Sequence, residues 1–117
     1  MKIAEAVRRW LSRYNTAIGP TNSNYDIELD MYLLEASPDE FVSFLRELGE
    51  HKLLPNSIEL LGAGAIESFI NVNENHLAEL ENLALECDTI LSALKCSYAD
   101  EDSPEAAVRL LQRCENY

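Results

Sequence analysis

Few residues in this chain are of the types that perform chemistry, and they do not converge. The two histidines, His51 and His76, have no second imidazole or cysteine at metal-ligand spacing. His51 sits in a charged helix end, where it can interact with the helix C-terminus. His76 falls in the opening turn of a helix and reads as exposed. Of the three cysteines, Cys87 lies on an apolar seam, which suits an inert thiol more than a nucleophile paired with a histidine. With Cys96 and Cys114 the count is odd and no CxxC occurs. Free thiols in a reducing compartment, not a disulfide framework, are therefore expected.

Two further patterns have weak chemical readings. Gly62-Ala63-Gly64 lacks the third glycine and preceding strand of a dinucleotide fingerprint, and the Gly-Lys pair of a P-loop. Asp100-Glu101-Asp102 lacks the glycine and the distal glutamate of a calcium loop. The expectation is a non-enzymatic chain with no cofactor and no metal site.

Charge is the stronger signal. The formal net charge is −12. Residues 1–20 carry Lys2, Arg8, Arg9 and Arg13 against Glu5, a local charge of +3, and the remainder carries −15. Residues 53–94 hold seven acids and no Lys or Arg. Phosphate binding needs clustered cations, so direct attraction to nucleic acid is not expected. A basic protein is the partner such a surface fits. Glu74, Glu81 and Asp88 repeat every seven residues and are expected to share an acidic face, with Glu79 and Glu86 beside it. Glu67 follows the glycines. It can bond a neighbouring backbone or bind a partner, and the structural role is preferred. These six acids form the candidate partner-binding set.

The elements that would position them read as helices. In residues 2–17, Ile3, Val7, Trp10, Leu11 and Tyr14 share one apolar face. Gly19-Pro20 stops this helix, and residues 21–24 form a polar connector. Residues 25–34 alternate like a strand, but Ile27, Met31 and Leu34 also make a helical stripe. No partner strand exists, and a lone strand leaves its backbone unpaired, so helix is preferred. Ser37-Pro38-Asp39-Glu40 opens the next helix with a capping box, burying Phe41, Phe44, Leu45 and Leu48. Gly49 helps to end it.

Asn56 with Glu59 repeats the capping pattern after Pro55. Ile58, Leu61, Gly62, Ala65, Ile66 and Phe69 then keep helical spacing. Gly62 falls on that stripe, where a missing side chain lets a second helix approach. Gly64 lies off it and marks a local kink. Asn73 or Asn75 starts a central helix whose seam is Leu77, Leu80, Ala84, Cys87, Leu91 and Leu94. Ser103-Pro104-Glu105 opens the last helix, with Val108, Leu110, Leu111 and Cys114 as its apolar surface.

The expected fold is therefore all-α: residues 1–117 as a single-domain bundle of five to six amphipathic helices, or a stack of helical hairpins. No apolar run approaches the roughly 20 residues that span a bilayer, and residues 1–13 lack a signal-peptide h-region. A cytoplasmic protein without membrane contact is expected.

The run SPDEFVSFLREL, then LGAGAIESFI, then a long acidic helix resembles an uncharacterised family of small bacterial helical domains. That likeness covers residues 25–94 and implies fold more than function. More broadly, a small, very acidic helical chain looks like the immunity proteins of bacterial contact-dependent and polymorphic toxin systems. This class-level likeness implies a protein that binds and blocks a cognate toxin domain, commonly a basic nuclease. A phage-encoded or regulatory inhibitor that imitates nucleic-acid charge, and a structural homodimeric helical module, are the alternatives.

Overall fold

A computed structural model describes residues 1–18 and 25–117. Among these residues every regular element is helical. They are α1 (Ile3–Tyr14), α2 (Ile27–Glu35), α3 (Pro38–Leu48), α4 (Pro55–Leu61), α5 (Glu67–Val72), α6 (Leu77–Glu86), α7 (Asp88–Leu94) and α8 (Glu105–Cys114). A π-helical turn, Gly62–Ile66, joins α4 and α5 into one rod, so seven rods build the bundle. No described helix is long and apolar enough to cross a membrane. The expected Gly19-Pro20 stop and the 21–24 connector lie outside the described residues.

α1 packs on α3, α3 on α6, α6 on α8, and the α4–π rod on α7. One cluster of buried side chains fills the space between them, with Phe44, Leu45, Leu48, Leu80, Ile90 and Leu110 fully inside. Burying each such side chain contributes on the order of 2 kcal/mol. The Phe41 and Phe69 rings stack at 4.7 Å and join α3 to α5.

The helix faces expected of α1 and α3 are the ones that are buried. The Ser37 hydroxyl accepts from Glu40 N at 3.2 Å, the expected N-cap, but the Glu40 carboxylate accepts from the Ser37 hydroxyl at 3.1 Å and not from the Ser37 backbone N–H, so the capping box is only half formed. Other boundaries differ for identifiable reasons. α1 ends at Tyr14 because Asn15 leaves the helix. Its side chain donates to Lys52 O and accepts from Leu54 N. Asn56 does not cap α4. Its amide donates to Thr16 O at 2.9 Å, stitching the same junction, and Leu54 takes the N-cap position before Pro55. Asn73 closes α5 by donating to Phe69 O, and a single 3₁₀ turn, Glu74–His76, precedes α6.

The largest departure is in the expected central helix. Cys87 adopts extended backbone, φ −136° and ψ 108°, and splits the rod into α6 and α7. The seam up to Ala84 is buried, but beyond the break the buried positions are Ile90, Ala93 and Leu94. This break brings the count to seven rods, not five to six. Its neighbour is Gly49, where an added Cβ would lie 2.7 Å from Cys87 Sγ. The Cys87 thiol also points at Gly49 O, at 3.6 Å.

Candidate functional site

Gly62 is the position where two rods touch. A Cβ built there would lie 1.8 Å from Ala93 O and 2.8 Å from Cys96 Cβ. Only a residue without a side chain lets α7 come so near. Ser97 Oγ donates to Gly62 O at 2.6 Å and Tyr98 N donates to Glu67 Oε1, also at 2.6 Å. The turn after α7 is thereby tied to both ends of the π turn. Glu67 thus has the backbone-bonding geometry that the sequence reading preferred.

The other five candidate acids have different surroundings. Glu81 is mostly covered: Arg113 forks onto both its oxygens at 2.9 Å, and the Tyr117 hydroxyl donates to it. The Arg113 bonds hold its carboxyl below the usual range. Glu86 pairs with Arg46 of α3 at 3.1 Å. Glu79 stands exposed near His76 at 4.0 Å, and Glu74 and Asp88 are exposed without a cationic partner among the described residues. Glu74 lies on the 3₁₀ turn and Asp88 at the start of α7, so the seven-residue repeat of Glu74, Glu81 and Asp88 does not run along a single helix.

The Cys96 and Cys114 thiols are not poised as nucleophiles. Burial raises the pKa values of Cys96 and Cys114, with nearby Glu59 and Glu81 adding to it. Among the described residues there is no group of three or more His, Cys, Asp or Glu side chains able to hold a metal ion.

A second candidate site was not foreseen. The stripe Ile27, Met31 and Leu34 on α2 does not face the core; all three residues are exposed. Instead Asp26, Leu29, Asp30 and Leu33 face inward. The rotation follows from the N-cap. Asp26 accepts from Leu29 N at 3.1 Å while Arg9 of α1 donates to both its oxygens at 2.7 and 2.8 Å. Arg9 also reaches Glu28 at 3.2 Å. The Tyr14 hydroxyl accepts from Asp26 N at 3.0 Å and donates to the Asp30 carboxylate at 3.1–3.2 Å. These bonds set which side of α2 meets α1, and they override the apolar stripe.

Between α2 and the π–α5 segment lies a cavity of about 340 Å³. Its apolar wall includes Leu33, Leu34, Leu60, Phe69 and Val72, and Trp10, Tyr14 and Tyr25 gather at the Asp30 end. Trp10 meets Tyr14 edge-on at 5.7 Å between centroids, and Tyr14 meets Tyr25 at 6.2 Å. The two aspartates of α2 differ in charge environment. Arg9 holds the Asp26 carboxyl below its ordinary range, whereas burial pushes that of Asp30 up. Burial also raises Tyr14, to about 12. The sequence signal for this site was the alternation in residues 25–34, where two helical faces are both apolar and periodicity alone does not choose between them.

No family model, curated protein or solved structure matches the chain, so functional inference rests on its own geometry.

Proposed function

We propose that this protein is a cytoplasmic binding protein of the immunity type, which neutralises a toxin domain, a basic nuclease above all, by docking on it. One observation carries the reading. Glu74, Glu79, Glu86 and Asp88 are exposed on the α6–α7 half, and no Lys or Arg occurs from residue 53 to 94. Such a surface speeds encounter with a basic partner and selects against acidic ones. Affinity then needs an apolar anchor. Leu85, 55% exposed and one residue before Glu86, is available for that role. Glu81 and Glu67 are assigned structural bonds, with Arg113 and Tyr98, and only the exposed acids are assigned to the partner.

The test is co-expression with the product of the adjacent open reading frame, followed by binding at several salt concentrations. A complex that weakens with salt, and is lost in a Glu74→Lys, Glu79→Lys, Asp88→Lys variant, supports the reading. A complex indifferent to both changes, or no complex at low salt, refutes it.

The homodimeric alternative has one observation in its favour, the exposed Ile27–Met31–Leu34 ridge on α2. Light scattering over a concentration series distinguishes it: a dimer that dissociates in Met31→Glu supports that reading, and a monomer throughout removes it.

A further inference from the structure

The α2–α5 cavity has the composition of a ligand site. Its volume of about 340 Å³ is within the range of small-molecule pockets. Among the described residues that line it, Asp30 is the one charged side chain. The other polar side chains that line it, Tyr14, Tyr25, Trp10, Ser68 and Asn73, are uncharged. Asp26, one helical turn away, is matched by Arg9, but Asp30 has no cation within ion-pair distance among the described residues. Its recorded side-chain partner is the Tyr14 phenol, one proton for a group with two acceptor oxygens. A half-buried carboxylate of this kind favours a positive charge beside it. The rings of Trp10, Tyr14 and Tyr25 line the same end, and aromatic faces attract alkylated ammonium groups.

Gly64 supplies a second, independent feature. A Cβ added there meets nothing within 4 Å, although Gly62 on the same turn has no room at all. Gly64 lines the cavity, so the absence of its side chain keeps the cavity open without serving any helix contact.

We propose that this cavity binds a small organic ammonium ion, with its charged head against Asp30 and its alkyl body along Leu33, Leu60, Phe69 and Val72. The site is separate from the acidic docking surface, since none of Glu74, Glu79, Glu86 and Asp88 lines it. It stands or falls independently of the immunity reading.

Trp10 is the chain's single tryptophan and lines the cavity, so its fluorescence reports occupancy. The full chain is titrated with octyltrimethylammonium, octanoate and 1-octanol, each below its aggregation concentration, with calorimetry giving stoichiometry. The expected result is saturable one-to-one binding of octyltrimethylammonium, about tenfold or more tighter than either other probe. Asp30→Asn should weaken the cation about tenfold and leave octanol unchanged. Gly64→Leu should abolish binding of all three probes while the thermal transition is retained. Ser68→Phe fills the cavity from its exposed side and gives the same reading should Gly64→Leu not fold.

Glu101→Gln removes one charge from the turn before α8, outside the cavity, and should change nothing. Three results overturn the proposal: no saturable binding, equal affinity for the three probes, or the same weakening in Glu101→Gln as in Asp30→Asn. The last would mean attraction by the overall negative charge. Affinity that falls as protein concentration rises would place a second copy of the chain in the groove, and overturns it also.

Discussion

Gly62 and Gly64 lie two residues apart on the same π turn, yet they face opposite surroundings. Gly62 looks at α7, where the backbone of Ala93 occupies the place a Cβ would take. Gly64 looks at the α2–α5 cavity, where nothing stands within 4 Å. One missing side chain lets two rods meet, and the other leaves a groove open. The same segment thus serves packing on one side and access on the other. Glycine content alone does not distinguish the two roles; the neighbour across the gap does.

Gly62→Val is the severest way to break this contrast. It should lower stability by about 3 kcal/mol or more, because backbone and not a flexible side chain blocks the new atoms. Urea denaturation would measure it, and a loss under about 1 kcal/mol would disprove the close contact. Leu29→Ala comes next, at roughly 3 kcal/mol, since Leu29 is fully buried on the inner face of α2. Ile27→Ser, on the exposed face of the same helix, should stay within about 0.5 kcal/mol. The reverse order of those two would mean that α2 is rotated from the arrangement described.

Asp26→Asn should cost about 2 kcal/mol: the amide oxygen can still cap Leu29 N, but Arg9 loses its carboxylate fork. This effect has a pH signature. The folded pKa of Asp26 lies below its ordinary 3.8, so its contribution is present above that value and is lost as pH falls through the folded value. Glu81, held below 4.5, behaves in the same way. Asp30 has the opposite sign. Its folded pKa is above 3.8, so its favourable contribution exists at lower pH and disappears as pH rises through the folded value. Asp30→Asn should therefore raise stability at pH 7 relative to pH 3, and Asp26→Asn should lower it. Denaturation midpoints across that range would check both. The smallest intended change, Gly64→Ala, should stabilise by up to about 1 kcal/mol, since it improves helix propensity in open space. A melting temperature that falls instead would mean that the cavity side of the π turn is occupied.

The helical class, the buried faces of α1 and α3, the Ser37 cap and the Gly62 contact were legible because each is a local pattern. A stripe at 3.6-residue spacing, a Ser-Pro-x-Glu start or a glycine on an apolar stripe carries its meaning within a few residues. The break at Cys87 was not legible, since the apolar positions of α6 and α7 continue one seam across it. The break places Cys87 against Gly49, 38 positions earlier. The pairing of Glu81 was not legible for a related reason. Sequence spacing put Glu81 with Glu74 and Asp88, but Arg113, 32 positions later, claims it.

By itself the sequence determined that amphipathic helices enclose the core, that the chain is strongly acidic, and that Gly62 is a point of close approach. Tertiary structure alone decided which face of α2 looks inward, which acids remain exposed, and that Gly64 borders a cavity beside Asp30. The physical reason is that helix formation is set by neighbours along the chain. Rotation, pairing and vacancy depend on partners brought near only when the rods pack, here Arg9 and Tyr14 on Asp26 and Asp30.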